Sequence, residues 1–283
     1  MSMSRPMSRP MPRAMSSRLN VGYWGGSVDA DAQAFIDAAA ITDETQIAAV
    51  TTLVTDLKGA GIWDRCIAIY PFVGGSASTH KWNLKNPLDT DAAKRLTFTG
   101  AWTHSANGAT PDGSTAYANT FVNLNEDVPP YSSHGSYYSR TAGIGASDYY
   151  IFCASGNGAD WGIDLNSTNA VYAPFGPGTT AVSATIAGST GLLGMNELLA
   201  DGRSVLRNGV SIGTDTDDIY HYYPSTDVNN VKTILLGAYG NGVNFKSSYQ
   251  CAFASFGYGL SSTMWTSLHT LVQAYQTTLG RSV

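Results

Sequence analysis

From residue 65 onward the apolar residues of this chain recur at alternate positions, in short runs interrupted by clusters of glycine, proline, asparagine and serine. Side chains that alternate with period two point to opposite faces of a strand, so each run buries one face and wets the other. Leu96, Phe98 and Gly100 alternate against Thr97 and Thr99, and further strands are predicted near Tyr137, over 149–152 and over 161–165. Residues 204–213 read as strand, Asn208-Gly209 turn, strand, because a two-residue hairpin needs positive φ at both central positions and Asn-Gly accepts it. Leu235-Leu236-Gly237 and residues 251–257 supply two more apolar strands. With 30 glycines and only 13% charged residues, the pattern predicts a mainly β chain folded as a two-sheet sandwich.

Two short stretches depart from that period. Asp31 is positioned to cap an Ala-rich helix over 33–40, and Asp43 with Gln46 has capping-box spacing at the head of a second. Ile47, Val50, Val54 and Leu57 then share one face before Gly59 and Gly61 stop the helix. A last helix is expected from Ser261 or Ser262 to about Leu279, with Trp265, Leu268, Val272, Tyr275 and Leu279 on one stripe and Gly280 as its stop. The organisation is therefore an extended basic arm and hinge (1–27), a helical region (28–64) and a β-sandwich with a C-terminal helix (65–283).

The arm reads as a worn four-residue repeat, with Met3, Met7, Met11 and Met15 in register and Arg5, Arg9, Arg13 and Arg18 carrying its charge. It holds none of the 21 acidic residues of the chain, so a basic strap leads into an acidic body. Arginines at this spacing could pair phosphates, but four charges bind nucleic acid weakly and the body would repel it. The arm also lacks the apolar core of a secretory signal, and no run approaches a membrane span, so neither Sec export nor membrane insertion is expected. The three cysteines, Cys66, Cys153 and Cys251, lie far apart in apolar runs and are read as buried thiols.

Several blocks carry a family resemblance: DADAQAFIDAAAITDETQIAAVTTLVTDLKGAGIW (29–63), AIYPFVGGSASTHKWNLKNP (68–87), GAWTHSANGATPDGSTAYANT (100–120), SYYSRT (136–141) and QCAFASFGYGLSSTMWTSLHTLVQAYQTTLG (250–280). Together they resemble phage-encoded and prophage-associated structural proteins, the tail-fibre and virion-surface modules built on a concanavalin A-like, laminin G- and pentraxin-like sandwich. The resemblance implies a concanavalin A-like jelly-roll sandwich, a place on the virion surface after folding in the host cytoplasm, and a structural rather than enzymatic role. Head or tail location is left open, as capsid decoration, head fibre or tail fibre. Partners would be other virion proteins of a capsid or tail platform, further copies of the chain, and host-surface glycans. The arm, which the resemblance does not cover, would be the anchor, through Arg5, Arg9, Arg13, Arg18, Met7 and Met11. Residues 143–186 depart from the family pattern, and variable, specificity-bearing loops are expected there.

Glycosidases need two carboxylates facing each other across a sugar. The Glu-x-Asp-x-x-Glu pattern of sandwich glucanases is missing, and Glu44, Glu126 and Glu197 are isolated, so Asp160 with Asp164 is the best acid pair available to a depolymerase. Asp215, Asp217 and Asp218 form the densest acidic cluster, either a charged turn or a partial calcium site as in a calcium-dependent lectin. No other cofactor is implied. The 5 histidines lack zinc spacing, no Gly-x-Ser-x-Gly elbow occurs, and the glycine pairs lack a phosphate-loop lysine. Sugar faces stack on aromatic rings while carboxylates and amides fix hydroxyls, which makes Asp160, Trp161, Tyr222 and Tyr223 the candidates for glycan contact, with core or rim packing the alternative reading of each. Tyr131, Tyr137 and Tyr138 add to an aromatic surface on this reading.

Overall fold

The computed structural model describes residues 28–129, 131–143, 149–156, 159–166, 170–173, 181–198, 202–216, 233–239 and 244–283. The anchoring candidates Arg5, Met7, Arg9, Met11, Arg13 and Arg18 lie outside them, as do Asp217, Asp218, Tyr222 and Tyr223. In chain order the elements are α1 (Ala30–Ala38), α2 (Glu44–Gly59), β1 (Cys66–Tyr70), α3 (Ala77–His80), β2 (Thr97–Thr99), β3 (Trp102–Ser105), β4 (Gly108–Pro111), β5 (Tyr117–Asn123), α4 (Leu124–Asp127) and β6 (Ser132–Ser139). They continue with β7 (Tyr149–Gly156), β8 (Ala159–Asn166), β9 (Ala170–Ala173), β10 (Val182–Thr185), β11 (Gly191–Leu198), β12 (Gly202–Arg207), β13 (Val210–Asp215), β14 (Thr233–Leu236), β15 (Cys251–Gly257) and α5 (Ser262–Thr278).

The strands form two antiparallel sheets, as the alternation predicts. The first runs β13-β12-β11-β6-β15-β4-β3, with β1 also paired to β15, and the second runs β10-β9-β8-β7-β14-β5-β2. Between them lies the main core, where Tyr137, Met195, Val205 and Phe256 of the first sheet meet Phe152, Trp161, Ile163 and Leu236 of the second. The span 143–186, where variable loops are expected, contains β7 to β10, more than half of the second sheet, and the strands predicted over 149–152 and 161–165 fall in β7 and β8.

A second apolar cluster lies on the outside of the first sheet. Tyr138, Leu192, Leu206 and Phe253, each one residue out of phase with the core, pack there against α1, α2 and α5. The helical region thus shares one cluster with the sandwich. Helix α2 begins as predicted, Asp43 accepting from the backbone N–H of Gln46 at 2.9 Å. Only half of the capping box forms, because Gln46 Oε1 accepts from the Gly74 N–H at 2.7 Å and ties α2 to the loop after β1. Helix α1 starts earlier than the sequence suggests: its cap is Asp29, which accepts from the Asp31 N–H at 2.9 Å. Asp29 and Asp31 both grip Lys58 of α2, at 2.7 and 2.5 Å, so the first described turn is fastened to the second helix.

The Asn208-Gly209 hairpin is present, with φ of 50° and 78° at its two central residues. Its turn lies under α5. A Cβ added to Gly209 would meet His269 Cβ at 2.8 Å, so the glycine serves both the turn and the close approach of the helix. Cys66, Cys153 and Cys251 are free, buried thiols, and burial pushes Cys66 up to about 12.

Candidate functional site

Helices cover one outer face of the sandwich; among the described residues, none packs across the other, the outer face of the second sheet. Strand β8 shows how that face is built. Trp161, Ile163 and Leu165 point into the core, which leaves Asp160, Gly162 and Asp164 directed outward. Trp161 is 1% exposed, its ring against Phe152 and its Nε1 donating to Ser133 Oγ at 3.1 Å. It is a core residue, not the sugar platform expected of it, because its neighbour Asp160 occupies the outward phase. Tyr137 and Tyr138 are likewise buried, one in each apolar cluster.

Around Asp160 the face is aromatic. The residues that follow β14 bring Tyr239 across the sheet, and its hydroxyl donates to Asp160 Oδ1 at 2.7 Å. The Tyr239 ring lies 5.3 Å from Tyr150 and 5.7 Å from Phe245, centroid to centroid, and Phe245 packs on Tyr150 at 6.3 Å. The backbone fixes this arrangement, since the Tyr150 N–H donates to the Phe245 carbonyl at 3.2 Å. Phe245 has φ of 48° and is 49% exposed, an apolar ring held out into water. Burial raises the phenols of Tyr150 and Tyr239, so both stay protonated and Tyr239 remains a donor to the carboxylate. Beside them Lys246 Nζ donates to the Thr115 carbonyl at 3.0 Å and lies 5.8 Å from the Tyr117 ring.

Such a surface offers two rings for stacking and a carboxylate to accept from hydroxyls, the combination that sugars engage. Sequence reading found Asp160 but missed Tyr150, Tyr239 and Phe245. The available signal was the isolated tyrosine in Gly-Ala-Tyr-Gly-Asn-Gly, an aromatic that no alternating run explains.

The same geometry weakens two other candidates. Asp164 shares the outward phase with Asp160, four residues away on β8. Each is also held by its own donor, Asp160 by Tyr239 and Asp164 by the Tyr149 N–H at 2.8 Å. Asp215, expected as a calcium ligand, ends β13 paired with the buried Arg203 guanidinium, so a cation would have to displace that partner. Among the described residues, no three His, Cys, Asp or Glu side chains gather as a metal site. No described helix is long and apolar enough to cross a membrane.

A separate buried polar group lies inside the sandwich. Glu197 of β11, opposite Ser133 and Arg203 in the strand register, is raised by burial to about 7, with Arg203 and Ser133 opposing the shift.

No family model matches the chain, and the comparison with curated proteins gives no match. Solved structures do resemble it. A sialidase of Trypanosoma rangeli is similar over 79% of this chain and 38% of its own, at 11% identity and a TM-score of 0.50. The CBM40 of the Ruminococcus gnavus IT-sialidase, bound to α2,3-sialyllactose, is similar over 57% of this chain and 95% of its own, at 12% identity and a TM-score of 0.42. The NanB sialidase of Streptococcus pneumoniae follows with 12% identity over 51% of this chain and 25% of its own, at a TM-score of 0.41. The chain thus spans well under half the length of the two sialidases it resembles. At this identity the likeness to the Trypanosoma protein shows a shared β-sandwich fold.

Proposed function

We propose that the chain is a glycan-binding β-sandwich of a phage virion surface, fastened to the particle by its basic N-terminal arm and contacting host glycans through the outer face of its second sheet. The observation that carries the binding half is the cluster of Asp160, Tyr239, Tyr150 and Phe245, an ordered carboxylate beside an exposed ring on the sheet face that no described helix covers. The virion half is supported by the resemblance of the sequence blocks to phage structural proteins and by the charge contrast between arm and body. Weak single contacts are adequate for such a role, because copies arrayed on a particle add avidity.

Binding of the purified protein to a host-glycan array tests the site. Phe245→Ala is expected to weaken binding roughly tenfold through the lost stacking surface, with the thermal midpoint little changed because the ring is half in water. Undiminished binding by Phe245→Ala, or binding retained after Asp160→Asn and Phe245→Ala together, would remove this face from the reading. The arm is tested separately. A chain lacking residues 1–27 is expected to fold and to be missing from purified particles, and its normal incorporation would refute the anchor.

A further inference from the structure

If this face binds sugar, as just proposed, its charge also determines which sugars it takes. None of the strands of the second sheet, β2, β5, β7, β8, β9, β10 and β14, contains a lysine, arginine or histidine, while β8 contributes Asp160 and Asp164. The stretch between Arg140 and Arg203, which includes β7 to β10, has no basic residue at all. The described cations that touch this sheet are already engaged, Lys94 and Arg95 at its margin and Lys246 beside the ring cluster, bridged to Tyr150. Lys94 bonds Asp127 at 2.6 Å and the Phe121 carbonyl at 2.8 Å. Arg95 spans Asp89 and Asp91 and donates to Thr97 Oγ1 at 2.8 Å. Lys246 is held by the Thr115 carbonyl and the Tyr117 ring. Lys232, directly ahead of β14 in sequence, lies outside the described residues.

We infer that this face selects neutral sugars, hexoses and N-acetylhexosamines, and discriminates against those bearing a carboxylate, such as sialic acids and uronates. A carboxylated sugar stacked on Phe245 or Tyr239 would bring its anion toward Asp160, while the described cation beside the rings, Lys246, is turned to the Thr115 carbonyl. Like charges brought together lose affinity whatever the stacking gains, and building in such repulsion is a usual route to specificity. A neutral sugar has no such cost, and its hydroxyls donate to the lone pairs of Asp160 that Tyr239 leaves unused.

The test is an array of matched pairs, each neutral oligosaccharide beside its sialylated or uronate-bearing counterpart, read at low and high salt. The expected result is at least about fivefold weaker binding of the acidic member at low salt, with the gap narrowing as salt screens the repulsion. In Asp160→Asn, checked for an unchanged thermal midpoint, the ratio of acidic to neutral binding should rise. Acidic sugars bound as well as or better than their neutral partners, or a ratio unmoved by Asp160→Asn, would overturn the inference while leaving the glycan-binding reading intact. Failure of every sugar to bind would overturn that reading and this inference with it.

Discussion

The pair Asp160 and Trp161 shows what a residue's neighbours in sequence can and cannot reveal. Alternation establishes that the two point to opposite faces of β8. Which of them faces inward depends on the sheet packed beneath, where Phe256 and Ser133 receive the indole alongside Phe152 of its own sheet. A single residue with no legible pattern carries the largest load at the other end of the chain. Arg281 is 1% exposed, and its guanidinium donates to the carbonyls of Pro71, Phe72, Ala106 and Ala252 and to Gln276 Oε1, at 2.6 to 3.1 Å. Five acceptors satisfy all of the direct geometry of the fork, so the buried charge is tolerated without a carboxylate among those partners. Arg281→Met removes these donors from the buried acceptors, of which Pro71 and Ala252 keep Tyr275 and Gln276, and is expected to cost about 3 kcal/mol or more, measured by urea unfolding. A loss under about 0.5 kcal/mol would mean that water replaces the clamp.

Elements were read well where one face is wet; where neither is, β15 showed only as a continuous apolar run. The Asn208-Gly209 hairpin and the α2 and α5 stripes all appear in the structure, because each combines a cap or turn signal with one apolar face. Strand β11 was missed. Its sequence, Gly-Leu-Leu-Gly-Met-Asn-Glu-Leu, shows no alternation, since Leu193 and Met195 enter the core while Leu192 lies under the helices. Covering a sheet with helices erases the period that would betray its strands. The hairpin turn offers a test of how closely α5 is seated. Gly209→Ala forces a side chain at positive φ and against His269, and is expected to destabilise by about 1–2 kcal/mol, read from the thermal midpoint. Asn208→Gly suits the backbone of the same turn, so its cost reports the hydrogen bond from the Leu192 N–H to Asn208 Oδ1 at 2.9 Å.

On the scale of the whole molecule, two kinds of buried titrating group oppose each other. Burial lowers His80 to about 3, with His104 and Arg281 adding to the shift, and lowers His134 to about 4 against a hydrogen bond to the Tyr258 carbonyl. Both stay neutral in the fold, whereas unfolded imidazoles take up protons near 6.5. Stability from this source is therefore lost as pH falls from about 6.5 toward about 4 and about 3. Glu197, raised to about 7, acts in reverse: its contribution is full below about 4.5, the unfolded value, and fades as pH rises through about 7. Two imidazoles outweigh one carboxyl, so the urea midpoint should decline from pH 7 to pH 4.5, and more steeply in Glu197→Gln. A shallower decline in that variant would show that Glu197 is ionised in the fold.

The one-sided helical layer also settles a matter of orientation. Asp29, where the described chain begins its first turn, is fastened to Lys58 within that layer, and Phe245 and Tyr239 stand on the sheet at the far side of the core. On the proposed reading, attachment would lie on the helical side of the body and the rings offered to sugar on the opposite side, like a tile with mortar on one side and glaze on the other. Attachment and recognition then draw on separate surfaces, and either can be altered in evolution, or by design, without rebuilding the other.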